Sequence, residues 1–346
     1  MKIAIGQINP KVGAISQNKT LIIEQILKAD EMLAAELVIF PELAVTGYPL
    51  DDWLTREDFI QATQVACQEI AASTPSHMCV ILGAPVKQGH LLYNAALVIE
   101  SQQIKHYAFK QALPNYGVFD EKRHFTPGTS ATSFRFQNQS IALAICEDLW
   151  DDTIFSTIAH NSPDLIVSIN ASPFDQDKST QREILLENRA TEANCPVIYA
   201  NLHGGQDELV FDGGSMASSP STGLTLGALS FYEGLFALTF KDKTITPILW
   251  PTCGADLLNQ IYCALCLGVK DYVEKNGFSG VLIGLSGGID SALTLAIAVD
   301  ALGANRVRSV MLPSEYTSDI SIEDAQKQAD CLRSEERPVG KVGRVC

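Results

Sequence analysis

The stretch Val38-Ile39-Phe40-Pro41-Glu42-Leu43-Ala44-Val45-Thr46-Gly47-Tyr48-Pro49 begins as a short apolar run and continues as a loop that carries a glutamate. An apolar run with no polar alternation predicts a strand that is buried on both faces. Two more segments repeat the pattern, because apolar runs lead into Lys110 within Tyr107–Pro114 and into Cys146 within Ala142–Trp150. Each of these three predicted strands therefore ends beside a residue that can take part in chemistry.

Apolar runs alternate with segments of helical periodicity along the first 200 residues, which indicates an α/β layered fold. We predict strands over Lys2–Gln7, Leu37–Phe40, Cys79–Pro85, Ala95–Glu100, Ile104–Phe109, Ile141–Ile145, Leu165–Asn170 and Val197–Ala200. We predict helices over Gln17–Ala35, Glu57–Ser73, Thr153–Asn161 and Ser179–Asn194.

A second pattern follows a stretch that contains Pro247, Pro251 and Gly254, which we interpret as a linker over residues 247–256. Its elements have the β-α-β order that opens a doubly wound sheet. They are the helix Asp256–Asn276, the strand Val281–Leu285, the helix Ser291–Leu302, the strand Val307–Leu312 and a helix from Ile322 to Ala329. We therefore expect domains at 1–246 and 257–332, the second one partial, and an irregular tail at 333–346.

Composition excludes several classes of protein. The 346 residues carry a net charge of −15, so bulk attraction to nucleic acid or to an anionic membrane is not expected. No run approaches the ~18 consecutive apolar residues of a membrane span, and no secretory signal is recognisable. Nine cysteines in a chain of this length indicate reduced thiols rather than a disulfide framework. These observations predict a cytoplasmic protein.

Glu42, Lys110 and Cys146 suit one another chemically. Ligands of layered α/β proteins bind at the carboxyl ends of strands, so the three side chains are expected to meet there. A thiol needs a base to become a nucleophile, and a lysine can stabilise the oxyanion that forms on a carbonyl. Such a site would attack an amide, expel ammonia and leave a thioester for water to hydrolyse. Taken singly, each residue has a simpler interpretation: a loop acid, a solvated charge and a buried core thiol.

Together the three segments resemble the nitrilase, or carbon–nitrogen hydrolase, superfamily. The matching motifs are Phe40-Pro41-Glu42 with Gly47-Tyr48, the Lys110 segment, and Cys146-Glu147-Asp148 after an apolar strand. The resemblance extends from about Met1 to Phe240. It implies a four-layer α-β-β-α sandwich and a catalytic triad of Glu42, Lys110 and Cys146.

The segment from Lys110 to Arg123 is similar to the glutamine-hydrolysing branch that is attached to NAD synthetases. That resemblance implies that Tyr116 and Ser172, with Lys178, bind glutamine, and that Glu121 supports the active site. The branch also carries arginine at the position of Lys178. The alternative interpretation of Lys178 is a solvated lysine at the start of a helix, with no contact to glutamine.

A glycine-rich loop joins the predicted strand at Val281 to the next predicted helix. Its glycines allow close backbone approach to an anion, and the helix N-terminus adds free amides. A carboxylate at Asp290 is compatible with phosphate if it helps to hold Mg²⁺. The loop lacks the lysine of a Walker A motif and resembles the Ser-Gly-Gly-x-Asp-Ser loop of ATP pyrophosphatases. The expected ATP-binding residues are Gly284, Leu285, Ser286, Gly287, Gly288, Ile289, Asp290 and Ser291. The alternative is a glycine-rich turn without a ligand.

The order of the two patterns resembles the glutamine-dependent NAD synthetase family, with a Rossmann-like domain after the sandwich. Its members hydrolyse glutamine and use the ammonia for ATP-dependent amidation of deamido-NAD⁺, which releases AMP and pyrophosphate. The resemblance implies glutamine, ATP with Mg²⁺ and deamido-NAD⁺ as ligands, no tightly bound cofactor in the glutaminase half, and a homo-oligomer. Two alternatives remain: a stand-alone amidase of the same superfamily that acts on another small amide, and a non-catalytic ATP-binding or scaffold protein that carries degenerate sites.

Overall fold

The computed structural model describes residues 1–227, 230–249, 256–332 and 335–336. Its contacts divide the chain into two compact units. The first unit holds residues 1–204 together with the described residues from 211 to 249. The second holds residues 205–210 and the described residues from 256 onward.

The first fifteen strands and first four helices precede residue 250. The strands are β1 Lys2–Gln7, β2 Leu37–Ile39, β3 Cys79–Gln88, β4 Leu91–Glu100, β5 Gln103–Phe109, β6 Thr132–Phe136, β7 Gln139–Ile145, β8 Leu165–Asn170, β9 Val197–Asn201, β10 His203–Gln206, β11 Leu209–Asp212, β12 Met216–Ser219, β13 Gly223–Gly227, β14 Gly234–Lys241 and β15 Thr244–Leu249. The helices are α1 Ile15–Leu33, α2 Glu57–Ser73, α3 Asp152–His160 and α4 Lys178–Ala193.

Two sheets form the centre of the first unit. One has seven strands in the order β15-β14-β1-β2-β3-β4-β5, and the other has six in the order β13-β12-β9-β8-β7-β6. Their facing sides share one apolar core, to which Ile39 and Ile145 both belong. Helices α1 and α2 cover the outer face of the first sheet, and α3 and α4 cover the outer face of the second. The four layers are those of the predicted α-β-β-α sandwich, and this fold prediction is confirmed.

Strand direction brings the chemical residues to one end of the sandwich. Strands β1, β2 and β3 are parallel, and β5 runs in the same direction because β4 is antiparallel to both of its neighbours. In the second sheet, β7, β8 and β9 are parallel. All six residues of β8 are buried, as expected for a strand with helices on one side and a sheet on the other.

The sequence analysis did not identify the strands that complete both sheets. Strands β12 and β13 are short and rich in Ser, Thr and Gly, and neither carries the long apolar run that marks the central strands. Strand β15 includes Pro247, so the predicted linker at 247–256 starts inside this edge strand. Residues 250–255 of that linker lie outside the described part of the chain.

The second unit has the predicted β-α-β order. Its elements are α5 Leu257–Lys275, β16 Val281–Gly284, α6 Ile289–Leu302, β17 Val307–Val310, α7 Asp319–Leu332 and β18 Glu335–Glu336. Strands β16 and β17 are parallel, and the apolar sides of α6 and α7 pack on them. The carboxylate of Asp256 caps α5 by accepting the N–H of Asn259 at 2.8 Å. This unit is the start of a Rossmann-like fold. Apart from β18, the predicted tail at 333–346 lies outside the described residues.

Across the described ranges we find no helix with both the length and the apolar character that a membrane crossing requires.

Candidate active site

Glu42 follows the end of β2 and is placed by a close approach to β3. A Cβ atom on Gly83 would lie 2.3 Å from the carbonyl oxygen of Pro41 and 2.7 Å from the Cα of Glu42. Only glycine fits this position, because no side chain can occupy space that the backbone already fills. The glutamate side chain is 1% exposed and points into the protein.

Lys110 follows the end of β5 and lies between two carboxylates. Its Nζ donates to Glu42 Oε1 at 2.7 Å and to Glu121 Oε1 at 2.7 Å. All three side chains are at most 4% exposed. Burial opposes the lysine's charge, but Glu42 and Glu121 outweigh it and raise the pKa of Lys110 well above its ordinary value. The lysine is therefore a fixed cation.

Glu121 is a weaker acid in this protein than an ordinary glutamate. Burial and the nearby charge of Glu42 raise the pKa of Glu121 to about 7, although Lys110 opposes that shift. The hydroxyl of Tyr48 donates to Glu121 Oε1 at 3.0 Å. The other oxygen, Oε2, is buried and finds no donor among the described residues.

Cys146 begins a short 3₁₀ turn, Cys146–Leu149, directly after β7. Its φ of 48° is in the left-handed region, which costs energy for a residue with a side chain. The thiol is buried. Burial and the charge of Glu42 raise its pKa, while Lys110 opposes that rise. A thiol in this environment needs a nearby base before it can act as a nucleophile.

Asp148 ties the cysteine turn to the segment after Lys110. Its Oδ1 accepts the N–H groups of Gln111 at 2.9 Å and Ala112 at 2.8 Å, and its Oδ2 accepts the N–H of Ile145 at 3.1 Å. Burial raises the pKa of Asp148 to about 6, although the three N–H groups favour its charge. This carboxylate fixes the spacing between two of the strand ends.

Ser172 follows β8, and the buried side chain of Arg182 in α4 holds it. The guanidinium donates to Ser172 Oγ at 3.1 Å and to its carbonyl at 2.8 Å, and forms a forked pair with Asp212 at 2.9 Å to each oxygen. Ala171, the residue before, donates its N–H to Glu42 Oε2 at 2.8 Å. The segment after β8 therefore contacts the same glutamate as Lys110 does.

The remaining predicted ligand-binding residues lie around the cysteine turn. The hydroxyl of Tyr116 donates to Glu147 at 3.0 Å, and the ring is 55% exposed. The Nζ of Lys178 lies 4.1 Å from the centre of the Trp150 ring, a cation–π contact. The structure thus joins Glu42, Lys110 and Glu121 directly. It places Tyr116 against Glu147 within the cysteine turn, and Lys178 against Trp150, which directly follows that turn.

Sequence reasoning missed Asn94, Arg182 and Asp212. Asn94 donates to Glu42 Oε1 at 2.7 Å, and Arg182 with Asp212 supports Ser172. A polar residue in the apolar run of β4, and an arginine on the buried side of α4, were the available signals. Neither pattern indicates which residue the side chain contacts, because each contact is made to a residue far away in the sequence.

The predicted phosphate loop lies between β16 and α6 in the second unit. Ser291 Oγ accepts the N–H of Ser286 at 3.2 Å, and the two hydroxyl oxygens lie 3.1 Å apart. Gly287 has a φ of 80°, and a Cβ there would lie 2.2 Å from the carbonyl oxygen of Ser321. A cavity of about 300 Å³ borders the loop at Gly284, Leu285 and Ser286, where it also touches Thr317.

A second cavity, of about 410 Å³, borders the loop from Gly287 to Ile289. Asp290 is in the first turn of α6. Within the described ranges, no three His, Cys, Asp or Glu side chains are grouped closely enough to hold a metal ion by themselves. A single carboxylate suits Mg²⁺ that arrives with nucleotide phosphates, because this ion keeps several waters and takes few protein ligands.

Known family models match two successive regions of the chain. The carbon-nitrogen hydrolase family model matches residues 2–237. The chain belongs to the carbon-nitrogen hydrolase family. The NAD synthase family model matches residues 261–341.

Curated relatives match nearly the whole chain. The glutamine-dependent NAD(+) synthetase of Xylella fastidiosa is 40% identical over 337 residues, which cover 96% of this chain and 62% of the relative. That of Acinetobacter baylyi is 38% identical over 329 residues, which cover 95% of this chain and 60% of the relative. The chain thus spans somewhat less than two thirds of the length of these relatives.

Solved structures agree with the family. A glutamine-dependent NAD⁺ synthetase from Acinetobacter baumannii, solved with ADP, matches with a TM-score of 0.93 and 38% identity, over 97% of this chain and 64% of that one. An amidase of the nitrilase superfamily from Nesterenkonia matches with a TM-score of 0.63 and 24% identity, over 70% of this chain and 91% of that one. At this identity, the amidase supports the fold of the first unit alone.

Proposed function

We propose that the first unit hydrolyses the side-chain amide of glutamine and releases ammonia. The observation that carries the proposal is the buried cluster in which Lys110 contacts Glu42 and Glu121 beside Cys146. The names of the 38–40% identical relatives supply the substrate. A nucleophile, a base and a fixed cation are the groups that acyl transfer from an amide requires.

In the proposed reaction Glu42 takes the proton of the Cys146 thiol as sulfur attacks the carboxamide carbon. Lys110 stabilises the negative charge that develops on the carbonyl oxygen. The carbon–nitrogen bond then breaks, and nitrogen leaves as ammonia with the proton that Glu42 returns. Water, deprotonated by Glu42, hydrolyses the thioester and releases glutamate and the free thiol. Glu121 supports Lys110 from its other side.

Tyr116, Ser172 and Lys178 are proposed to bind the amino-acid end of glutamine. The hydroxyl oxygens of Tyr116 and Ser172 can accept from the ammonium group of a zwitterionic ligand, and the cation of Lys178 suits its free carboxylate. Their positions next to the cysteine turn and after β8 support this role. The ammonium of Lys178, which contacts the ring of Trp150 directly after the cysteine turn, supplies the positive charge in this proposal.

For the intact protein, we propose synthesis of NAD⁺ from deamido-NAD⁺, ammonia and ATP. The loop Ser286–Ser291 would bind ATP with its Mg²⁺, and Asp290 would contact the metal, while AMP and pyrophosphate leave. The match to the NAD synthase model supports this function over a stand-alone amidase. A homo-oligomer is part of the same proposal. The chain covers only 62% of its relative, so the synthetase reaction belongs to the whole protein.

The test is a glutaminase assay on Cys146→Ala. Alanine fits a small buried site, so we expect an intact fold and loss of ammonia release from glutamine. Cys195→Ala is the matched control, because Cys195 is also a free buried thiol. It should keep the wild-type rate. Ammonia release by Cys146→Ala at the wild-type rate would refute the proposal, and much faster hydrolysis of another amide by the wild type would favour the stand-alone amidase.

A further inference from the structure

The two oxygens of Glu42 are in different environments. Oε1 accepts two donors at 2.7 Å, from Lys110 Nζ and from Asn94 Nδ2. Oε2 accepts a single donor, the N–H of Ala171 at 2.8 Å. A carboxylate oxygen offers about two lone-pair directions. Oε1 is therefore saturated, and Oε2 keeps one direction free for a proton.

The hydrogen bond from Asn94 to Glu42 is offset by the free-energy cost of an unsatisfied acceptor in the same side chain. The residue is fully buried, and its Oδ1 finds no donor among the described residues. The amide cannot turn over to improve this, since its oxygen would then face the carboxylate. An unsatisfied buried acceptor destabilises the folded state, so an apolar side chain would be more favourable if this position served packing alone. The contribution of the asparagine is therefore the amide N–H that it donates to Glu42.

Asn94 also contacts the second member of the cluster. Its backbone carbonyl accepts the N–H of Lys110 at 2.9 Å. One residue of β4 thus holds the carboxylate of Glu42 by its side chain and the main chain of Lys110 by its backbone. The relative position of base and cation depends on this residue.

We propose that Asn94 is a positioning residue for the base. By occupying Oε1 together with Lys110, it leaves Oε2 as the oxygen that receives the thiol proton. The proposal rests on the function proposed above, in which Glu42 is the base. The other ionisable groups that act on Glu42 are Lys110, Glu121, Cys146 and Tyr48. A side-chain substitution at Asn94 keeps these four residues and the backbone carbonyl that accepts the N–H of Lys110.

The experiment measures the pH dependence of kcat/KM for glutamine in the wild type, Asn94→Ala and Asn94→Asp. Loss of this hydrogen-bond donor destabilises the ionised form of Glu42. The acid limb of the profile, where kcat/KM falls towards low pH, should therefore move to higher pH in Asn94→Ala. Asn94→Asp has the same shape but places a second carboxyl beside the first. Its acid limb should move further, by about one pH unit or more, because two carboxylates cannot share a site without a raised pKa.

Asn18→Asp is the matched control. Asn18 is also buried, and its side chain donates to the carbonyls of Lys11 and Val45 instead of a carboxylate. The same chemical change there should lower stability and leave the acid limb where it is. A purely structural role for Asn94 predicts that its variants behave like this control.

Alkylation of Cys146 by iodoacetamide provides a readout that needs no glutamine. Its rate against pH should shift upward in the Asn94 variants as the acid limb does. The wild type could fail to hydrolyse glutamine while the alkylation profile still differs between the wild type and the Asn94 variants. That result would refute glutamine as the substrate and support the role of Asn94. If Asn94→Asp does not fold, Asn94→Ala decides. Superimposable pH profiles for folded Asn94→Ala and wild type would overturn the proposal.

Discussion

The ammonium of Lys110 lies 2.7 Å from Glu121 Oε1 and the same distance from Glu42 Oε1, so one buried cation serves two carboxylates. The two acids differ in their other contacts. Glu42 accepts three donors in all, whereas Glu121 accepts two and leaves one buried oxygen without a donor among the described residues. This difference in hydrogen bonding fits the roles proposed above, in which Glu42 is the base and Glu121 supports Lys110.

Glu42→Gln should lower kcat for glutamine hydrolysis by about 10²–10⁴, the usual contribution of a general base. The new amide can keep the contacts of Oε1, but its NH₂ group would face the N–H of Ala171 and could not accept a proton. Steady-state ammonia release checks the result. Glu69→Gln, which alters an exposed ion pair with Lys19, serves as the control and should keep its kcat.

Glu121→Gln should change how stability depends on pH. The folded protein holds the proton of Glu121 up to about pH 7, whereas the ordinary value is 4.5. The folded state therefore binds more protons between these values, and Glu121 lowers the free energy of unfolding as pH rises from 4.5 to 7. The variant should lack this decline, which is on the order of 1–3 kcal/mol.

Urea denaturation of wild type and Glu121→Gln at pH 5, 6, 7 and 8 measures this difference. A difference in unfolding free energy that stays constant over this range would show that Glu121 titrates near its ordinary pKa.

Arg182→Gln should destabilise the first unit by about 3–5 kcal/mol, because it leaves Asp212 buried without its cation. The double variant Arg182→Gln with Asp212→Asn removes both charges and should lose less than the sum of the two single losses. Denaturant titration of the four proteins gives the coupling energy. Strict additivity would mean that the pair contributes no interaction of its own.

Asp290→Asn should weaken nucleotide binding in the presence of Mg²⁺ more than in its absence, since only a metal contact uses the carboxylate charge. Calorimetric titration of the full-length protein with ATP, with and without Mg²⁺, measures both. Asp300→Asn is the control at the other end of α6, where the carboxylate accepts the Tyr262 hydroxyl. Equal losses with and without Mg²⁺ would exclude metal contact by Asp290.

Sequence patterns predicted the parts of this fold that depend on local chain properties. The apolar runs before Glu42 and Cys146 gave interior strands, because burial on both faces leaves a continuous hydrophobic signal. The run before Lys110 gave an edge strand with several exposed residues. Strands such as β12 lack the continuous hydrophobic signal, because they are short and owe their stability to pairing with β9 and β13. The contacts of Asn94 and Arg182 escaped because they are distant in sequence: Glu42 is 52 residues from Asn94 and Asp212 is 30 from Arg182.

The exposed ring of Tyr116 contrasts with the enclosed cluster around Lys110. Substitutions in the loop that carries Tyr116 act on a surface that solvent already reaches, whereas each member of the cluster is fixed by several neighbours. Under the proposed function, the tyrosine side chain concerns the choice of amide and the enclosed cluster concerns bond cleavage. An engineer who wishes to alter which amide is accepted can vary Tyr116 alone and keep the buried side chains of the cluster unchanged.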